Sequence, residues 1–151
     1  MPAGTPLDRA AIAALIPHAG AMCLLDTVDS WDALRLTACA TSHRSRTNPL
    51  RRHGRLAAIH LIEYAAQAMA VHGGLAAQLV GRTARPGLLA GVRDVRLHVE
   101  RIDDLAGDLT LRVVQEMAAT TGWVYRFDAM VDRRPLAEGR VTIMTAAAGS
   151  A

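Results

Sequence analysis

The chain contains no lysine: all 17 of its basic residues are arginine. Alongside the abundant alanine this reads mainly as genome composition. It also leaves every basic side chain permanently charged, because a guanidinium keeps its proton in any protein environment. Aromatic residues make up only 3%, which leaves few platforms on which the bases of a single-stranded nucleic acid could stack. The net charge of +3 is modest, no nucleic-acid motif accompanies it, and no nucleic-acid partner is expected. Two cysteines, Cys23 and Cys39, are the whole complement. They lack metal-ligand spacing and read as buried reduced thiols in predicted strands of a cytoplasmic protein. A basic segment followed by a long apolar run is missing from the N-terminus, so no signal peptide is expected.

Charge is also missing from one long stretch. From Leu56 to Gly81 the one formally charged residue is Glu63, with Gln67 a helical turn later. A run of about 20 apolar residues could span a bilayer. Glu63, Gln67, His60, His72 and the pair Gly73-Gly74 all fall inside this one, however, and a membrane span would leave the rest of the chain unexplained. No membrane span is expected. The stretch predicts instead a helix over 56–80, apolar nearly all round and so buried on most sides. An ionised carboxyl is costly to bury without a partner. Glu63 is therefore either a tolerated structural group or a group that handles protons.

At 151 residues, 51% of them hydrophobic, the chain has the size and composition of one domain with a core. We expect a single domain over 1–146 and a flexible tail over 147–151. Asp8 can cap a short helix over 9–15, which Pro17 would end. Two strands, 22–30 and 33–41, flank a turn near Trp31-Asp32; in the second, Leu34, Leu36 and Ala38 face one side. Residues 42–55 form a polar loop with a turn at Asn48-Pro49. After the long helix, which Gly73-Gly74 could bend or split, comes the linker GRTARPG. Four more strands follow at 88–100, 108–117, 121–132 and 136–144. The third of these alternates most cleanly, with Trp123, Tyr125 and Phe127 on one face and Arg126 and Asp128 on the other.

Two strands, a long apolar helix and four strands leave only one material to wrap the helix, a curved antiparallel sheet. The expected class is α+β, a hotdog fold in which a six-stranded sheet surrounds a long central helix. A single such sheet cannot cover every side of so apolar a helix, so a dimer is expected.

Four segments then carry a likeness, in order: IPHAGAMCLLDTVDSWD, IEYAAQAMA, LLAGVRDVRLHV, and GDLTLRVVQEM through LAEGRVTIM. The chain resembles the hotdog-fold β-hydroxyacyl-acyl-carrier-protein dehydratases. Within them it is most similar to the divergent dehydratase-like subunits of aryl-polyene biosynthesis. The resemblance implies cofactor-free, metal-free elimination of water from a 3-hydroxyacyl thioester held on an acyl carrier protein. It also implies active sites at the interface of a homodimer or of a heterodimer with another hotdog subunit.

By the same resemblance Glu63 matches the helix acid and Gln67 its neighbour. The backbone N–H groups of Ala58 and Ile59 match those that polarise the thioester carbonyl, with Ala57-Ala58 replacing the family's Pro-Gly. The family histidine should stand 14 residues before Glu63, where this chain has Pro49. Asn48 is the nearest polar neighbour and a candidate substrate contact. His43 and His53 flank the position and His60 lies one turn before Glu63. All three are candidate bases. Tyr64 reads as core and His18 as structural, while His72 and His98 have no constellation around them. Loop arginines 44, 46, 51, 52 and 55 read as a solvated loop or as a docking surface for an acidic carrier or its phosphate, with Arg51 and Arg52 the candidate contacts. Two other functions stay open: an acyl thioesterase, and a non-catalytic subunit that completes a heterodimeric dehydratase.

Overall fold

The computed structural model describes residues 4–16, 20–82 and 87–145. Helix α1 (Arg9–Leu15) precedes strands β1 (Thr27–Trp31) and β2 (Arg35–Ala40). The long helix α2 (Leu61–Leu79) follows, then β3 (Gly87–Leu97), β4 (Leu109–Ala119), β5 (Gly122–Val131) and β6 (Arg134–Thr145). The strands form one antiparallel sheet in the order β1-β2-β4-β5-β6-β3. One long helix on a six-stranded antiparallel sheet is the expected hotdog arrangement. Pro17, His18, linker residues 83–86 and the 147–151 tail lie outside the described residues.

Alternation builds the inner face of the sheet. Leu36, Ala38 and Ala40 of β2, Leu109, Leu111 and Val113 of β4, and Tyr125, Phe127 and Ala129 of β5 are all buried. Against them α2 sets Leu61, Tyr64, Ala65, Ala68, Met69 and Leu75. Each large side chain so buried contributes about 1.5–3 kcal/mol. Leu34, expected on this face, is instead 54% exposed, because β2 begins only after it.

Two boundaries differ from the sequence reading, each for a physical reason. The first strand starts at Thr27 and not at 22, because Gln67 holds residues 22–24 against α2. Its Oε1 accepts the Leu24 N–H at 2.9 Å and its Nε2 donates to the Met22 carbonyl at 2.6 Å. A side-chain amide thus takes the place of a neighbouring strand, and Cys23 is buried outside any strand. Cys39 lies in β2 and is half-buried, not buried; both thiols are free. The long helix starts late because 56–58 pair with 100–102. Ile102 N–H donates to Leu56 O and Ala58 N–H to Glu100 O, both at 2.9 Å, and a 3₁₀ turn at Ala58–His60 then leads into α2. Gly73-Gly74 leaves the helix unbroken through to Leu79. Gly74 lies under α1, where a Cβ would come 3.3 Å from Leu15 Cδ2.

The two ends of the sheet are unequal. At β1, Gly4 N–H donates to Trp31 O, and Leu7 and Val28 exchange two hydrogen bonds, so residues 4–7 run along that edge. At the other end β3 is exposed along most of its length. Leu89, Val92 and Leu97 pair with Ile143, Val141 and Ala137, so they share the inner face of the sheet. They are nonetheless 49%, 37% and 41% exposed. Helix α2 packs on β2, β4 and β5; Ala137 and Val141 of β6 are still buried, and the apolar face is open at β3.

His72, halfway along α2, is fully buried. Its Nε2 donates to Asp32 O at 3.0 Å, so its unprotonated Nδ1 accepts the Tyr125 hydroxyl proton at 2.7 Å. Gln115 Nε2 donates to Tyr125 Oη at 3.3 Å. Burial holds the imidazole below its ordinary pKa and pushes the Tyr125 phenol up to about 12.

Two stability tests follow from these arrangements. Gln67→Leu leaves the buried Leu24 N–H and the Met22 carbonyl unpaired, and should cost roughly 2–4 kcal/mol in chemical denaturation; a loss well under 1 kcal/mol would remove the clamp. In the unfolded chain His72 titrates near pH 6.5, whereas in the fold it stays neutral to lower pH. Acidification therefore protonates the unfolded state first and removes up to about 1.4 kcal/mol per pH unit below about 6.5, until the folded histidine titrates. Urea midpoints should fall over that range and fall less steeply in His72→Gln. An equal slope in the variant would exclude His72 as a source.

Candidate functional site

The site is built where α2 begins. Asp103, with a side chain only 5% exposed, accepts the Leu56 N–H at 2.8 Å and is gripped by the Arg101 guanidinium. That guanidinium, followed in importance by the Leu56 hydrogen bond, holds the carboxyl far below the usual carboxylate range against the opposing effect of burial. With the 56–58/100–102 pairing, this fixes the entry to α2 beside the residues that follow β3. Sequence reasoning missed Asp103; the signal available was an acidic pair, Asp103-Asp104, two residues after Arg101.

Glu63 lies in the first turn of α2, half-buried, where a carboxylate complements the positive end of the helix dipole. His60, also half-buried, stands three residues before it in the 3₁₀ turn, so the two share a side of the helix. Gln67 lies one turn further on but is buried, with its amide committed to Met22 and Leu24. Of the two expected backbone donors, Ala58 N–H is engaged by Glu100 O. Ile59 follows it at the helix entry, with its side chain 49% exposed.

The loop 42–55 is tied down by a polar cluster that reasoning from sequence did not find. Tyr64 is buried, as expected of core, but its hydroxyl lies 2.8 Å from Ser42 Oγ and 3.1 Å from Asn48 Nδ2. Asn48 also donates to Ser42 O at 2.9 Å and accepts Leu50 N–H at 2.9 Å. Both of its N–H donors are therefore held inside the chain. The available signal was a tyrosine in an apolar helix, since a buried phenol generally finds a hydrogen-bond partner. Burial pushes its pKa up, and the Ser42 and Asn48 hydrogen bonds oppose that only in part.

The other candidates separate. The His43 ring is completely buried, with Nε2 on Leu105 O at 3.1 Å and Nδ1 without a hydrogen bond among the described residues. Burial is the main reason its pKa is lowered. His53 is exposed at the tip of a two-residue turn closed by Arg52 and Arg55, which exchange two backbone hydrogen bonds. His53 and Gly54 both have positive φ there, 52° and 73°. His72 and His98 are placed elsewhere, the first on Tyr125 and Asp32, the second on Glu138 at 3.2 Å. Arg51 is half-buried and staples the loop through Gly54 O and His43 O. Arg52 is exposed and donates to Pro49 O and Arg51 O. Arg46 and Arg55 are exposed as well, and Arg44 is paired with Asp108.

A half-buried carboxyl and a histidine on one side of a helix start can give and take protons next to an apolar surface. Among the described residues no group of His, Cys, Asp and Glu is arranged to hold a metal ion, and no helix is long and apolar enough to cross a membrane.

Known proteins share this fold. In three dimensions the chain is similar to the dehydratase heterocomplex ApeI:P from Xenorhabdus doucetiae. The TM-score is 0.81 at 21% identity, over 94% of this chain and 93% of that one. It is similar, more distantly, to a hypothetical thioesterase with coenzyme A from Streptococcus pneumoniae TIGR4 (TM-score 0.58, 11% identity, 79% and 84% of the two chains). The PaaI protein of the E. coli phenylacetic acid degradation operon is comparable, with a TM-score of 0.58 and 12% identity over 80% and 78% of the chains. At such identities these likenesses carry the hotdog fold alone. No curated protein matches the sequence significantly. The family model for ApeP-like proteins, described as ApeP dehydratase, matches residues 10–150. That match runs through both helices and all six strands, and the chain belongs to the ApeP-like dehydratase family.

Proposed function

We propose that this chain is one subunit of a cytoplasmic two-subunit hotdog dehydratase. Its substrate is a 3-hydroxyacyl thioester on an acyl carrier protein, in polyene or fatty-acid assembly. The observation that carries the reading is Glu63, half-buried in the first turn of α2. In the reaction a base removes a proton from the carbon next to the thioester carbonyl. The C–O bond at the β-carbon breaks, and the departing hydroxyl takes a proton from Glu63 and leaves as water. The product is the enoyl thioester. Ile59 N–H supports the carbonyl oxygen, since Ala58 N–H is engaged by Glu100.

The base is His60 or a histidine of the partner subunit. His60 shares the side of the helix on which Glu63 lies, whereas the His43 ring is sealed in the interior and His53 sits on the loop tip. The open apolar face of β3, with Leu89, Val92 and Leu97 exposed, supports a second hotdog subunit as its cover. The exposed Arg46, Arg52 and Arg55, with Arg51 bracing their loop, support docking of an acidic carrier and its phosphate.

With the partner subunit present, Glu63→Gln should slow formation of the enoyl thioester by about 10²–10⁴-fold. Wild-type turnover in that variant would overturn the assignment of the acid. Turnover by this chain alone at the rate of the pair would overturn the two-subunit assembly, and release of free thiol without enoyl product would make it a thioesterase. Arg52→Glu with Arg55→Glu should raise KM for the carrier-linked substrate by roughly tenfold at low salt, and leave a short thiol-linked substrate unaffected. Equal KM for both substrates would remove the docking role.

A further inference from the structure

We infer that the Tyr64 hydroxyl is a positioning group for Glu63, the hub of a one-way chain of hydrogen bonds that fixes how the first turn of α2 faces the substrate. The inference rests on the proposed role of Glu63. The direction of the chain follows from proton count. Ser42 Oγ has one proton and lies 2.8 Å from Leu24 O, which can only accept. Ser42 therefore accepts from Tyr64 at 2.8 Å, and the phenol in turn accepts from Asn48 Nδ2 at 3.1 Å. The second Asn48 N–H goes to Ser42 O, and Asn48 Oδ1 takes Leu50 N–H. Each proton has one destination, and Leu24, where the chain ends, is held one turn further along α2 by Gln67.

The consequence is mechanical. Tyr64 follows Glu63 directly and points about 100° away around the helix. Its ring is sealed in the core while its oxygen is held by two separate segments, 42–50 and, through Ser42, 22–24. Rotation of this turn about the helix axis would have to break that chain. The side chain at 63 is thus aimed by the one at 64, and an error of about 1 Å at a reacting group can cost roughly 10²-fold in rate.

Tyr64→Phe keeps the ring and its burial but removes the hub. In the two-subunit enzyme, kcat should fall about 10–100-fold while KM for a short thioester stays within about threefold. Tyr125→Phe is the matched control: it deletes a buried phenolic oxygen bonded to His72, two turns further along α2, and should lower the melting temperature comparably with kcat unchanged. Ser42→Ala, which keeps the tyrosine, should reproduce the kcat loss, and combining it with Tyr64→Phe should add little more. Wild-type kcat in Tyr64→Phe, or an equal loss in Tyr125→Phe, overturns the positioning role. Full activity in Glu63→Gln would instead bring down the underlying assignment of the acid, so the two failures are distinguishable.

Discussion

A helix that is apolar on nearly every side must be covered on nearly every side, and the rest of this molecule follows from covering α2. Strands β2, β4 and β5 take one flank. Helix α1 takes another, pressed close enough that a Cβ at position 74 would come 3.3 Å from Leu15 Cδ2. Residues 22–24 take a third, held by Gln67. The few polar groups on α2 are therefore the joints through which it is fastened, because each must find a partner when water is excluded.

This separates the helix into regions with different duties. Around Glu63 and Tyr64 the joints tie down loops at the entry of the helix. Around His72 the joints run to the Asp32 carbonyl and into the sheet, through Tyr125 and Gln115, two turns or more from the helix entry. Two buried tyrosines with hydrogen-bonded hydroxyls thus differ in what their removal should disturb. The difference comes from what lies next to them along α2, not from their burial.

Much of this was legible in the chain. Alternation at 123–127 gave β5 its inward face, and the lone charge at 63 falls in the first turn of α2, where the proposed site lies. What escaped the sequence were the places where a side chain substitutes for backbone. Gln67 reads as the neighbour of an acid, yet it replaces a strand for residues 22–24, and periodicity has no term for that. The start of α2 was misjudged for a similar reason. Leu56 and Ala58 suit a helix, but the Asp103 carboxyl takes the Leu56 N–H, the Ile102 N–H takes the Leu56 carbonyl, and Glu100 O takes the Ala58 N–H. Asn48 and Ser42, in a loop rich in polar residues, could not be told from their solvated neighbours until Tyr64 picked them out.

The unequal ends of the sheet carry one more implication. Strand addition needs a row of unoccupied backbone donors and acceptors. Residues 4–7 already run along β1, whereas β3 is exposed along most of its length. A protein with two such open edges could add copies of itself without end and grow into a ribbon. With residues 4–7 along one edge, strand addition by this chain would be confined to β3, which favours a closed pair over a ribbon.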